Sequence, residues 1–164
     1  MRLTLWTSFW IFLVDQATKY YVVHWLDLIT VRSIDVLPPF LNFRMAWNRG
    51  VNFGLFSGLD MRWILIALAL GISALVLYWV HRDGGNRWTF LSAGFLVGGA
   101  IGNVVDRFLY GAVADFLNMS CCGIENPYAF NVADIAIFIG AFGLVIFTGD
   151  GTGKGKGKAR KKAA

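Results

Sequence analysis

The feature that most constrains this chain is a run of eighteen residues, 63–80, without a charged side chain. A second uncharged run of the same length covers residues 88–105. A helix needs about 20 mainly apolar residues to cross the hydrocarbon core of a bilayer. Only 15% of the chain is charged, against about a quarter in soluble domains. The sequence therefore indicates an integral membrane protein.

Four apolar segments follow one another along the chain. We predict a mainly α integral membrane protein with four transmembrane helices at about residues 3–25, 63–80, 88–109 and 131–147. Residues 26–61 combine a strand-like alternation with β-favouring aromatics, so we expect a small β-rich outer lobe between helices 1 and 2. Residues 1–148 then form a single membrane domain. The Gly- and Lys-rich residues 149–164 are predicted to be a disordered basic tail.

The distribution of lysine and arginine predicts the orientation. Nine of them lie at Arg2, in the turn 81–87 and in the tail, four lie in residues 26–62, and none lies in residues 110–130. Because cytoplasmic segments are enriched in these residues, we place both termini in the cytoplasm and the two larger loops outside. We interpret the basic tail as a segment that lies near anionic lipid and helps to set the topology, and we predict no nucleic-acid partner.

The two cysteines, Cys121 and Cys122, are adjacent. Neighbouring residues are badly placed for an unstrained disulfide, and two cysteines without a nearby histidine make a poor zinc site. We expect loop residues without redox or metal function, and a protein without a metal or another cofactor.

Ionisable residues concentrate where the third predicted helix ends and the fourth begins. Asn103, Asp106 and Arg107 share one helix face, Asp115 follows, and Asp134 lies in the first turn of the fourth helix. Since these helices are antiparallel neighbours, both later carboxylates fall near the outer membrane face. Two carboxylates in one site provide one acid and one base, which suits attack of water on a peptide carbonyl without a metal or a covalent intermediate.

Each of these residues also has a simpler structural explanation. Asn131 and Asp134 have the spacing of a helix capping box, and Asp115 alone could be an interfacial loop residue. Internal ion pairs, Asp15 with Lys19 and Asp106 with Arg107, could brace the helices; Asn48 and Asn52 could be turn residues.

Two other functional classes are compatible with buried charges. One is a small proton-coupled transporter or channel with a relay of intramembrane residues, Asp15, Lys19, Asp106 and Asp134. The other is a structural subunit with internal ion pairs. A relay predicts ionisable groups through the full membrane thickness, whereas the second predicted helix contains none.

Four short motifs, in this order, resemble the type II, or lipoprotein, signal peptidase family of bacteria. They are Asp15-Gln-Ala-Thr-Lys19; Asn48-Arg-Gly50-Val-Asn52-Phe53-Gly54; Gly99-Ala-Ile-Gly-Asn103-Val-Val-Asp106-Arg107 with its continuation Gly111-Ala-Val-Ala-Asp115-Phe116; and Phe130-Asn131-Val-Ala-Asp134. Asn52 stands where the family usually has alanine.

The resemblance implies an intramembrane aspartyl endopeptidase that removes the signal peptide from prolipoproteins before a diacylglyceryl-modified cysteine. It implies a catalytic dyad of Asp115 and Asp134. It also implies supporting or substrate-binding roles for Asp15, Lys19, Asn48, Gly50, Asn103, Asp106, Arg107 and Asn131.

The same resemblance implies a location and partners. We expect a multi-pass protein of the bacterial cytoplasmic (inner) membrane whose active site lies near the outer, periplasmic face. The expected partners are membrane-anchored prolipoprotein substrates, membrane lipid, and cyclic peptide antibiotics that bind in the cleft. We expect a monomer.

Overall fold

The computed structural model describes residues 1–50, 61–121, 123 and 126–148. Its α-helices are α1 (Arg2–Tyr20), α2 (Leu28–Val31), α3 (Met61–Asp83), α4 (Arg87–Tyr110) and α5 (Val132–Thr148), and α1 continues as a π-helix, Tyr21–Trp25. The strands are β1 (Ser33–Leu37), β2 (Leu41–Asn48) and β3 (Val113–Asn118). The predicted tail and Asn52 lie outside the described residues.

The long helices lie where the apolar segments predict them, and α3 extends beyond residues 63–80 at both ends. Among the described residues, α3 and α4 are long and apolar enough to cross a membrane, and α5 is apolar but shorter. The predicted first helix, 3–25, corresponds to α1 together with the π-helix. A mostly helical chain is therefore confirmed, while the number of four membrane crossings stays a prediction.

Helix α4 is the centre of the bundle, and α1, α3 and α5 all pack against it. Glycines allow the close approach. A Cβ atom on Gly98 would lie 2.6 Å from the Ser8 carbonyl oxygen in α1, and one on Gly99 would lie 2.5 Å from the Ala133 carbonyl oxygen in α5. Gly94, Gly98 and Gly102, spaced four apart along α4, form a small-residue surface of the kind that lets membrane helices approach closely.

The three strands form one antiparallel sheet in the order β1-β2-β3. The predicted lobe between helices 1 and 2 supplies β1 and β2, but β3 follows α4, in a segment that the sequence indicated only as a loop. Val113, Ala114, Asp115 and Phe116 are all buried, so β3 lacks the alternation that identifies a half-buried strand. The register places Asp115 opposite Ala46.

Cys121 is disulfide-bonded, contrary to the expectation that the adjacent cysteines are poorly placed to pair. The other cysteine of the chain, Cys122, lies outside the described residues.

Candidate active site

Asp115 and Asp134 meet at a single buried residue, Asn131. The side-chain Nδ2 of Asn131 donates to Asp115 Oδ1 at 2.6 Å, and its backbone N–H donates to Asp134 Oδ2 at 3.1 Å. Asn131 is completely buried. The strand β3 and the first turn of α5 therefore present both predicted dyad residues to one site.

Asn131 also caps α5. Its Oδ1 accepts the N–H of Asp134 at 2.9 Å, and the Asp134 carboxylate accepts the N–H of Asn131 in return. This reciprocal pair is a capping box, so that interpretation of the spacing is correct. The capping role of Asp134 is compatible with a catalytic role. The cap fixes the Asp134 carboxylate at a helix N-terminus, where an anion is favoured.

Asn103 of α4 joins the dyad to a second group of polar residues. Its Nδ2 donates to Asp134 Oδ1 at 2.9 Å. Its Oδ1 accepts from Asn131 Nδ2 at 3.2 Å and from Lys19 Nζ at 3.3 Å. Asn103 is buried, and its amide is fixed in orientation because it donates on one side and accepts on the other.

Asp15, Lys19 and Asp106 form what we call the ion cluster. Lys19 Nζ lies 2.8 Å from Asp15 Oδ2 and 2.8 Å from Asp106 Oδ2, and all three residues are buried. The predicted Asp15–Lys19 pair is present. The predicted Asp106–Arg107 pair is not, because successive side chains on a helix diverge and Asp106 turns toward α1.

The ion cluster also positions α5 and β3. Asp15 Oδ1 accepts the N–H of Ala133 in the first turn of α5 at 2.9 Å. Asp106 Oδ2 accepts the N–H of Ala114, the residue before Asp115, at 3.2 Å. The cluster therefore holds the backbone on both sides of the dyad, which gives a buried group of charges a structural purpose.

Gln16 belongs to this network, although the sequence analysis did not select it. Its Nε2 lies 3.1 Å from Asp15 Oδ2 and 3.1 Å from Asp106 Oδ1. The sequence did contain a signal for Gln16, because this polar residue lies inside the Asp15–Lys19 motif of an otherwise apolar helix.

Arg107 lies on the dyad side of α4. Its Nη1 donates to the Asn103 carbonyl oxygen at 3.2 Å, and its charge acts on Asp115 and Asp134. Its buried Nε has no hydrogen-bond partner within the described residues. The guanidinium therefore supplies positive charge beside two carboxylates and keeps a free donor.

Asn48, at the end of β2, acts on Asp115 through its side chain and favours the ionised form of that carboxyl group, and its Oδ1 accepts the N–H of Gly50 at 2.9 Å. Gly50 has a φ of +100°, and a Cβ there would lie 2.5 Å from Leu65 Cδ1. The backbone conformation therefore favours glycine at this position, whereas the contact could be relieved by a shift of the flexible Leu65 side chain.

The surroundings of Asp115 favour its protonated form. Burial, and next the charge of Asp134, raise the pKa of Asp115 from 3.8 to about 6, while the polar side chains of Asn48 and Asn131 oppose the rise. A carboxyl group of this kind can exchange a proton near neutral pH, which is the property that general acid–base catalysis needs.

Solved structures with this fold are membrane enzymes. Two bacterial membrane enzymes determined by the in meso method are similar to the chain, with TM-scores of 0.75 and 0.76 and sequence identities of 28% and 27%. The first comparison covers 96% of this chain and 94% of the other, and the second covers 89% and 92%. Fold and site thus place the chain in the class of membrane enzymes, with a pair of carboxylates at one end of a helical bundle.

A sequence model of the family described as signal peptidase (SPase) II matches residues 7–148, and the chain belongs to this family. It is 41% identical over 136 residues to a lipoprotein signal peptidase of Methylorubrum extorquens (strain PA1), covering 81% of this chain and 77% of that protein. It is 43% identical over 137 residues to one of Methylobacterium sp. (strain 4-46), covering 82% and 81%. The family assignment made from the four motifs is confirmed, the chain belongs to a family of proteases, and the transporter alternative is not supported.

Proposed function

We propose that this protein is an intramembrane aspartyl endopeptidase that removes the signal peptide from prolipoproteins, before a diacylglyceryl-modified cysteine. The observation that carries the catalytic class is the junction at Asn131, which holds Asp115 and Asp134 in one buried site. The names of the relatives support the substrate class. The diacylglyceryl cysteine is implied by the motif resemblance.

In the proposed mechanism, a water molecule is bound between the two carboxyl groups. Asp134 is ionised, at a helix N-terminus and with donors from Asn103 and Asn131, and it takes a proton as the water oxygen attacks the scissile carbonyl carbon. Asp115, protonated, gives its proton to the carbonyl oxygen, which forms a neutral gem-diol. When the C–N bond breaks, Asp134 returns its proton to the leaving nitrogen and Asp115 recovers one from a hydroxyl of the diol.

Arg107, Asn48 and Asn103 support this chemistry. The half-buried guanidinium of Arg107 stabilises the negative charge that Asp134 carries before the attack. Asn103 donates a hydrogen bond to the Asp134 carboxyl group and fixes its orientation, and the side chain of Asn48 favours the ionised form of Asp115. A fixed arrangement of donors around the reacting groups needs no reorganisation during the reaction, which is how polar sites lower barriers.

The proposed topology has four crossings, made by α1 with its π-helix, α3, α4 and α5, with both termini in the cytoplasm. Asp115 follows the C-terminal end of α4 and Asp134 lies at the N-terminal end of α5, so the dyad is at the same end of the bundle as the sheet. That end carries the less basic loops, which supports an active site at the outer face of the bacterial inner membrane. Helices α3 and α5 both pack on α4, and we place the lateral entry for the substrate between them.

The test is cleavage of a diacylglyceryl precursor in vesicles by Asp115→Asn and by Asp134→Asn. At position 115 asparagine keeps an acceptor oxygen for the bond from Asn131, and at position 134 it keeps one of the two acceptors that now face Asn103 and Asn131. Each variant loses a proton-transfer group, and its folding is checked by its melting temperature. General acid–base groups contribute about 10²–10⁴ in rate, so each variant should lose at least about 10²-fold in turnover.

The control is Asp35→Asn, which changes an exposed carboxylate of the same sheet and should cleave at the wild-type rate. Near-normal turnover by either dyad variant, inserted and folded, would refute the assignment.

A further inference from the structure

A cavity of about 240 Å³ lies between α1, α4 and the sheet, and no dyad residue lines it. Ala114 contributes to its wall, and because alternate residues of a strand face opposite sides, Asp115 turns away from it. The side chains that give the cavity its chemistry are Gln16, Tyr20, His24, Trp47, Asp106 and Tyr110.

The walls are a chain of aromatic rings. The ring centroids of Tyr20 and His24 are 5.6 Å apart, those of His24 and Tyr110 are 6.4 Å apart, and those of Trp47 and Tyr110 are 5.6 Å apart. The faces of tryptophan and tyrosine rings attract cations, and groups of such rings recognise organic ammonium groups. The walls therefore favour a cation with apolar substituents.

Two members of the ion cluster, Lys19 and Asp106, form the floor, and this floor disfavours an anion. Lys19 uses its three N–H donors on Asp15 and Asp106, at 2.8 Å each, and on Asn103, at 3.3 Å. No donor of this ammonium remains for a phosphate or a carboxylate. Lys19 and Asp106 carry opposite formal charges, so the floor offers an anion no net positive charge.

Gln16 adds an acceptor on the same side. Its amide nitrogen donates to Asp106 Oδ1, and within the described residues its Oε1 accepts no hydrogen bond. An N–H group in the cavity would thus find an acceptor at Gln16, a floor whose ammonium has no free donor, and aromatic walls.

We propose that this cavity binds an organic ammonium group, of the size of ethanolamine or choline, carried by a lipid headgroup or by a free amine. Its rings come from the end of α1 and its π-helix, the end of α4, and strand β2. This is the level at which lipid headgroups would meet the protein in the proposed topology. The site is independent of the dyad, and its occupancy does not require cleavage.

The experiment uses the full chain in nanodiscs of phosphatidylglycerol and measures the melting temperature. In one arm choline chloride is titrated at constant ionic strength. In the other, phosphatidylethanolamine replaces up to about a third of the lipid, with a phosphatidylethanolamine acylated at its amine as the uncharged comparison. We expect a saturable rise in melting temperature with the charged amine and none with the acylated one.

Tyr110→Leu removes one wall, and Phe108→Leu is its matched control, an exposed aromatic on the same helix that packs against Trp63. Loss of one cation–π contact should raise the half-saturating concentration about fivefold in Tyr110→Leu and leave it unchanged in Phe108→Leu. Asp115→Asn should bind like the wild type, which separates this site from the proposed catalysis.

A response to choline identifies a site open to free amines, and a response to phosphatidylethanolamine alone identifies a headgroup site. The proposal is overturned if neither amine shifts the melting temperature, or if both leucine variants weaken the response equally, as a general effect of interfacial aromatics would.

Discussion

Replacing Asp115 by asparagine should abolish cleavage and at the same time make the protein more stable at neutral pH. Asp115 is buried beside Asp134, and both conditions penalise its ionised form. Asparagine resembles the protonated carboxyl group in shape, and its side-chain oxygen can still accept the bond from Asn131. The substitution therefore removes a penalty without removing the contact.

The size of the gain follows from the pKa of Asp115. A rise from 3.8 to about 6, at about 1.36 kcal/mol for each unit, corresponds to about 3 kcal/mol. Between these pH values the folded state binds more protons than the unfolded state, so the stability of the wild type falls as pH rises from about 4 to 6 and stays lower above that. The variant lacks this loss, and its advantage should be about 3 kcal/mol at pH 8 and near zero at pH 4.

The assay is thermal unfolding in detergent at pH 4 and pH 8. A difference of about 3 kcal/mol corresponds to roughly 6–12 °C in melting temperature for a chain of this size. Asp35→Asn, in an exposed position of β1, is the control and should melt like the wild type at both pH values. The reasoning is refuted if Asp115→Asn melts below the wild type at pH 8, or if its advantage is equally large at pH 4.

Three further outcomes are expected. Lys19→Met leaves two buried carboxylates without their cation and should lower the free energy of unfolding by about 3–5 kcal/mol in denaturant titrations. Its control, Arg82→Met, removes one partner of an exposed ion pair and should have no measurable effect. Equal effects of the two substitutions would contradict the buried cluster. Gly102→Ala puts a methyl group against the Asp15 carboxylate and should lower the melting temperature, whereas Gly71→Ala, where the space is open, should raise it slightly. A higher melting temperature of Gly102→Ala would show that the carboxylate can move aside. Asn131→Ser keeps a helix cap but is too short to bridge the dyad, so it should retain most of the stability and lose at least about tenfold in turnover; wild-type turnover would exclude the bridge as a catalytic requirement.

The sequence alone was sufficient for those features whose signals are local. Uncharged runs located α3 and α4 because membrane helices need continuous apolar length. The spacing of Asn131 and Asp134 indicated a capping box, which depends only on one turn of helix. The four motifs identified the family, and within them the two carboxylates now found on the same asparagine.

The tertiary structure decided which polar groups meet. Asp106 pairs with Lys19, 87 positions earlier in the chain, instead of with its neighbour Arg107, because α4 packs against α1 on that face. The strand β3 was not recognisable because it is buried on both sides and lacks alternation. The contact of Asp15 with Ala133, 118 residues apart, and the aromatic cavity arise in the same way: the packing of separate helices determines them, and no local pattern records that packing.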